Sequence, residues 1–390
     1  MEENNWDNIY EGLKKSLKDF SPSIDPETSL IYSQKSSKFH IGSDEIQVPE
    51  LIQFIFSNIL NYTVMGPGEK LRWQVRFFYE NIDATFALEK FGLRLYLSSP
   101  TEDQEKLIKI KNEITGKLSR LILKAEKHIF TPFAKHQIKE RNFTIANHYH
   151  KFENRFDFFR NKATNDYIPE VQKGNESIHE LARKFNALQE YKYEQSYYAI
   201  AMLDAYFSFL EHLFVLILPI AEKPCKKYDL VQFISSFWSQ KYKVLFDVKK
   251  NRKAKEFYDQ LNELKENFRN YYAHGGFEKN GESLYFHFPG IGALPAKLSS
   301  KKNEPHFDFF PIDDTSTSHM IKVIDKFDEW LRSDDSGVKY AVRYAESGLD
   351  MPCDSQHIDE IICSMTNIQE FDKLLENYSH VTDMHDNMDY

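Results

Sequence analysis

Along most of the chain apolar side chains return every three or four positions, the spacing of one buried face of an α-helix packed on other helices. Residues 1–60 read as a short helix, WDNIYEGLKKSLKDF, a polar link, and an apolar helix, PELIQFIFSNILNY. MGPGEK is a break, after which LRWQVRFFYENIDATFALEKFGLRLYL reads as helix. SSPTEDQEK carries the start signal of a long helix reaching about His128, with Ser and Thr ahead of acidic residues. FTPF interrupts before a further helix through Arg160, and the polar stretch NKATNDYIPEVQKGNES is the best linker candidate. Four more helices are expected, at about 178–219, 227–247 and 252–274 and over SHMIKVIDKFDEWLRS. The third carries Phe257, Leu261, Leu264, Phe268 and Tyr271 or Tyr272 as its core stripe.

One stretch departs from this period. In FEKNGESLYFHF, Asn280-Gly281 stands between alternating residues, which predicts a β-hairpin with strand confined near 277–288. FPGIGALPA after it reads as a shaped loop, and the acidic end NYSHVTDMHDNMDY as disordered. The fold class expected is therefore all-α. The organisation expected is an N-terminal helical region over 1–175, a helical bundle over 176–335, and C-terminal helices with an acidic tail over 336–390.

Composition sharpens this picture. The 390 residues are enough for two or three domains, and only 14 Gly and 14 Pro argue against long loops. Aromatics make up 15% of the chain, with 32 Phe and 22 Tyr, so the expected core is rich in rings. Three scattered cysteines suit a reducing compartment, and no Cys/His group has zinc-ligand spacing. The start MEENNWDNIY is too acidic and polar for a signal peptide. AIAMLDAYFSFLEHLFVLILPIAEKP is long and apolar, yet Asp204, Glu211 and His212 lie inside it; such charges are costly in lipid, which points to a core helix. A cytoplasmic protein without a membrane span is expected.

A net charge of −9 excludes non-specific coating of nucleic acid, so any such contact needs a local basic patch. SQKYKVLFDVKKNRKAKEFY supplies one, with Lys249, Lys250, Arg252 and Lys253 as the candidate RNA-binding residues; its bland reading is a solvated helix end. Just beyond it, RNYYAHGG places Arg269, Asn270 and His274 within two helical turns and then breaks the helix with Gly275 and Gly276. Asn270 and His274, four apart, share a face that Arg269 can reach. Imidazole moves protons near neutral pH, and guanidinium suits phosphate oxygens. Together they fit metal-free attack of an RNA 2′-hydroxyl on its own phosphate, with no cofactor. Asp204, Ser208 and Glu211 form a polar stripe at i, i+4 and i+7 on the apolar helix. A carboxylate there needs a partner; Arg269 or His274 could supply it, with Glu211 slightly preferred over Asp204.

RNYYAHG resembles the Arg, four to six residues, His signature of the HEPN superfamily, including the polar residue after the Arg. The resemblance covers roughly residues 190–335. It implies a bundle of four or five helices, Arg269 and His274 as the catalytic pair with Asn270 assisting, and Glu211 and Asp204 as supporting residues. It further implies a homodimer lining one RNA cleft, a role in anti-phage defence or as a toxin, and a possible antitoxin or regulatory partner. A second spaced pair, Arg141 and His148 in RNFTIANH, has a longer gap and no glycine break. The rival expectation is a HEPN-like scaffold without catalysis that binds a partner protein or a nucleotide.

Overall fold

The computed structural model describes residues 4–28, 30–33, 36–98, 103–164, 178–221, 229–270, 284–298, 305–306 and 314–387. By its internal contacts the chain divides into two units, one of Met1–Phe143 with Glu376–Tyr390, the other of Thr144–Leu375.

The first unit overturns the all-α expectation. Helix α1 (Asn4–Lys15) leads into strand β1 (Phe20–Pro22), and β2 (Ser36–His40) precedes α2 (Glu50–Phe54), which continues as a π turn over Ile55–Ile59. Then come β3 (Val64–Met65), β4 (Leu71–Tyr79), β5 (Ile82–Glu89) and β6 (Gly92–Ser98). These six strands form one antiparallel sheet in the order β1-β4-β5-β6-β2, with β3 also pairing with β4. The segment expected as a helix from Leu71 is thus three strands of a meander.

The physical reason lies in the side chains. In β4, Trp73, Val75, Phe77 and Tyr79 are buried while Arg72, Gln74, Arg76 and Phe78 between them are less so, which is the period of two of a strand. Two-residue turns reverse the chain between Tyr79 and Ile82 and between Glu89 and Gly92. At the first, Glu80 takes a left-handed φ of 52°; at the second, Gly92 has φ 104°, open to glycine at little cost. One face of the sheet packs on α2 and on α3 (Gln104–Ala125), with Ile52, Phe56, Ile114 and Leu118 fully buried against Phe77, Phe86 and Leu95. The other face covers only a small cluster of Leu30, Ala87 and Tyr96. Asp103 caps α3 by accepting from the Lys106 amide. FTPF does not interrupt: a π turn over Glu126–Phe130 carries the chain into α4 (Thr131–Glu140), whose first turn tolerates Pro132.

The second unit is mainly helical. A short strand β7 (Thr144–Ile145) precedes α5 (Tyr149–Ala163) and the 40-residue α6 (Ile178–Ile217). The expected 227–247 helix is two, α7 (Leu230–Ser235) and α8 (Trp238–Leu245), because Ser236 and Phe237 are extended. Helix α9 (Arg252–Leu264), capped by Asn251, passes into a π turn over Lys265–Asn270. A hairpin of β8 (Leu284–Phe288) and β9 (Gly292–Leu298) follows, joined at Pro289–Ile291 and extended by β10 (Pro305–His306). FPGIGALPA is therefore turn and strand, not a loop, while Asn280-Gly281 lies outside the described residues. Helix α10 (Asp314–Leu331), α11 (Lys339–Glu346), strand β11 (Met351–Pro352, paired with β7) and α12 (Ser355–Ser364) complete the unit. Helix α13 (Ile368–Asn387) takes up the end expected to be disordered.

Aromatic rings knit this bundle together. Phe207 of α6 meets Trp238 of α8 at 5.1 Å, Trp238 meets Tyr258 of α9 at 5.8 Å, and Phe257 meets Phe327 of α10 at 5.5 Å. The one described helix apolar and long enough to cross a membrane runs over Asn186–Ile220, and its apolar window is 67% buried inside the fold. Helix α5 lies along it, with Tyr149 on Phe209 at 5.0 Å and Phe156 on Tyr206 at 5.2 Å.

Candidate functional site

Arg269 stands in the π turn that ends α9. A π turn holds an extra residue relative to the α-helix, which re-aims the side chains that follow it. Here it carries Arg269 to α6, where its Nε donates to Asp204 Oδ1 at 2.7 Å. Both side chains remain partly exposed. Among the described residues the two terminal guanidinium nitrogens make no hydrogen bond, so the bond to Asp204 orients the side chain at Nε. Two further π turns occur in the first unit, so the feature alone does not mark a site.

The polar stripe on α6 is used residue by residue. Asp204 holds Arg269. Ser208 donates back to the Asp204 carbonyl at 2.8 Å. Glu211, the slightly preferred partner, instead accepts from the Trp238 amide at 3.2 Å and so serves the start of α8. Asn270 is the last residue of the π turn, and its backbone alone is described. His274, with Gly275 and Gly276, lies outside the described residues.

The basic run divides. Lys249, Lys250, Arg252 and Lys253 are exposed around the start of α9, with the Lys249 and Lys250 amides donating to Asp247 and the Lys253 ammonium 2.9 Å from Asp335. At 1.5 Å per residue Arg252 and Lys253 stand roughly 25 Å along the helix from Arg269, and Lys249 and Lys250 lie just ahead of its start. Lys241, counted in the same run, is only 3% exposed. Burial lowers its pKa, and nearby Glu211 opposes that shift.

Sequence reasoning missed the other titratable groups of this unit. Lys265, at the head of the π turn, is half-buried and its ammonium lies 5.6 Å from the Trp238 ring centre. Burial lowers its pKa and Arg269 adds to the effect, against Glu211 and Glu266. His212 accepts from the His148 amide at 2.9 Å and stacks on the His148 ring; burial, helped by His148 and Lys241, pushes its pKa down to about 4. His148 thus serves the start of α5, while Arg141 ends α4 in a left-handed conformation.

A cavity of about 420 Å³ between α5, α6 and α10 holds a second polar group. Arg160 grips Asp325 through two bonds of 2.7 and 2.9 Å, and Tyr206 donates to Asp328 at 2.7 Å. Arg332 donates to Glu346 at 2.7 Å. Burial pushes Asp328 up to about 6, opposed by the Tyr206 bond and by Arg332. These groups satisfy one another, which reads as a structural network. Period alone could not have found the Arg160–Asp325 and Tyr206–Asp328 pairs, because they join residues more than 120 apart in sequence.

No known protein family, curated protein or solved structure matches the chain.

Proposed function

We propose that the chain is a metal-independent endoribonuclease of the HEPN kind, with Arg269 and His274 as its working pair. The observation that carries this reading is the Arg269–Asp204 bond of 2.7 Å, which fixes the guanidinium at Nε and leaves its fork for phosphate oxygens. In the proposed reaction the RNA 2′-hydroxyl loses its proton and its oxygen attacks the adjacent phosphorus. The bond to the 5′-oxygen breaks, that oxygen takes a proton, and a 2′,3′-cyclic phosphate remains. Histidine moves protons, and arginine holds the charge that grows on the phosphorane. The reading places the protein in the cytoplasm as a homodimer, in anti-phage defence or as a toxin under a regulatory partner. The dimer rests on the resemblance, since α6 spends its apolar face within its own unit.

The same ion pair favours a second reading. A partly exposed Arg–Asp contact is also an ordinary way to tie a helix end to its neighbour, as in a scaffold without catalysis. Incubating the full chain with RNA in EDTA separates the two. The nuclease reading expects cleavage of RNA but not DNA, products ending in 2′,3′-cyclic phosphate, and losses of about 10²–10⁴ in rate for His274→Ala and of similar size for Arg269→Ala. Cleavage that needs magnesium, or that survives His274→Ala undiminished, overturns it. A fully folded chain inert on RNA under activating conditions leaves the scaffold.

A further inference from the structure

Helix α5 sorts its side chains by face. Glu153, Asp157 and Arg160 line the cavity shared with α10, where Arg160 is bound to Asp325, and Glu153 meets His150. Tyr149, Phe156 and Ala163 are buried. The remaining side carries Lys151, Arg155, Phe158 and Lys162, spaced four, three and four apart. That spacing makes one stripe, about 16 Å long at 1.5 Å per residue. All four residues are exposed, as are Asn154 and Asn161 along its edge. Phe158 keeps 55% of its surface in solvent.

The positive charge of this stripe is not cancelled in place. Both carboxylates of α5 line the cavity, as do Asp325, Asp328 and Glu329 of α10. On α6, Asp204 is ion-paired with Arg269, Glu211 keeps its charge at the start of α8, and Glu194 is exposed. Among the described residues none of these carboxylates forms an ion pair with Lys151, Arg155 or Lys162. Even taken whole, α5 holds four cations and two carboxylates, in a chain whose net charge is −9.

The ring in the middle of the stripe is held in position. Phe158 meets Phe159 edge-on at 5.3 Å, and the Lys162 ammonium stands 6.0 Å from its ring centre. A positioned, exposed ring offers a flat face to another flat group, and a nucleobase is one. Cations along the same stripe can then meet the phosphates on either side of that base. The two asparagine amides offer donors and acceptors for base edges. An acidic peptide would satisfy the cations but leave the ring and the amides unused.

We propose that this face of α5 binds single-stranded nucleic acid, with Phe158 stacking on a base and Lys151, Arg155 and Lys162 contacting phosphates. The proposal does not need the nuclease reading; with it, the face holds the substrate RNA. Binding is measured by fluorescence anisotropy on the full chain with a labelled oligothymidylate dodecamer, which has bases and phosphates but no 2′-hydroxyl to attack. Salt is varied from about 50 to about 200 mM, the range over which phosphate contacts are lost.

Phe158→Ala should weaken binding about 5- to 150-fold, the loss of one stacked base, and leave the log–log salt slope unchanged. Phe158→Leu, which stays apolar but is not flat, should lose as much, while Phe158→Trp should bind as the wild type does. Arg155→Gln and Lys162→Gln should each lower the slope by about 0.7, the value of one phosphate contact on a single strand. All these positions are exposed, so circular dichroism and the unfolding midpoint should not move. The proposal falls if the wild type does not bind the dodecamer at about 50 mM salt. It falls equally if folded Phe158→Ala and Phe158→Leu bind as the wild type does, or if both charge removals leave the slope untouched. Displacement of the oligonucleotide by polyglutamate, with Phe158→Ala indifferent, would make the face an acidic-peptide site and also overturn it. Binding as expected in a chain that never cuts RNA keeps this face and removes the nuclease reading. Arg269-dependent cleavage with normal binding by the α5 variants does the reverse.

Discussion

The two units handle charge in opposite ways. In the first, charged groups sit at the rim of an apolar sandwich: Arg76 with Asp83 on the sheet, Lys111 with Glu45 and Lys117 with Asp19 on α3. Its interior is aromatic and aliphatic, with Phe77 stacked on Phe86 at 5.7 Å. In the second, ionisable groups lie within the bundle itself: Asp328 under Tyr206, His212 under His148, Lys241 behind Glu211. Buried charge is expensive, so groups of this kind mark where to look for chemistry as well as for structural networks like that of Asp328, whereas rim pairs need no such account. The contrast directs the search for function to the second unit without reference to any motif.

The contrast is tested first where its stability should be greatest. Phe77 is fully buried and contacts Phe20, Phe56 and Phe86, so it anchors the purely apolar core. Phe77→Ala should cost about 3–5 kcal/mol, read as a loss of denaturation midpoint, because it removes ring burial and leaves a cavity. The loss should be the same at pH 5 and pH 8, since the ionisable side chains against the ring stack, Tyr79 on Phe20 and Tyr62 on Phe56, are phenols, a group type that ionises well above that range. A marked pH dependence would show that the first unit is less purely apolar than its core suggests.

That core was also where period reading failed. In the segment from Leu71 the density of apolar residues satisfies spacings of two, three and four at once. Only β4 alternates cleanly; in β5, Ala84, Thr85, Phe86, Ala87 and Leu88 are all buried because both faces are covered. The turns at Glu80-Asn81 and Lys90-Phe91 lack the Asn-Gly signal that marks many hairpins. The helices of the second unit, by contrast, were legible from their single-faced stripes, as with Leu261 and Leu264. Of the site, the sequence could place Arg269 near α6 and propose a carboxylate partner. It could not choose Asp204 over Glu211, because the π turn that selects between them is set by packing and leaves no local pattern. Lys241 looked solvated for a related reason: its neighbours in sequence are basic, while its neighbours in space are Glu211 and His212.

A second test uses two groups with opposite linkage. Asp328 has a folded pKa near 6 against an ordinary 3.8, so its contribution is fullest below about pH 4 and is lost as pH rises to 6. His212 has a folded pKa near 4 against 6.5, so its contribution is fullest above pH 6.5 and is lost as pH falls to 4. Over one window the two slopes oppose each other. Asp328→Asn keeps an acceptor for Tyr206 and should expose the acid-side loss due to His212. His212→Gln keeps an acceptor near the His148 amide and should expose the alkaline-side loss due to Asp328. Each change relative to wild type should reach about 1–3 kcal/mol across pH 4 to 6.5, measured by urea unfolding at several pH values. Parallel stability profiles for all three proteins would mean that water reaches both groups and that the second unit buries less charge than its geometry implies.

The smallest expected effect belongs to the rim of the first unit. The Lys117 ammonium bonds Asp19 and lies 4.9 Å from the Tyr79 ring centre, and the bond to Lys117 lowers the Asp19 pKa below the ordinary 3.8. A lowered carboxylate pKa contributes stability above 3.8 that is lost as pH falls through the folded value. Asp19→Asn should therefore cost only about 0.2–1 kcal/mol at pH 7, the range of a partly exposed pair, and nothing once the wild-type carboxylate is protonated in acid. Raising salt to 1 M should shrink the cost further, because the Debye length falls to about 3 Å. The Asp328 and His212 effects should resist the same salt, since counterions do not enter the bundle. If Asp19→Asn proved as costly as Asp328→Asn and as insensitive to salt, the division between a rim of ordinary ion pairs and an interior of retained charge would fail. The case for placing function in the second unit would then rest on Arg269 alone.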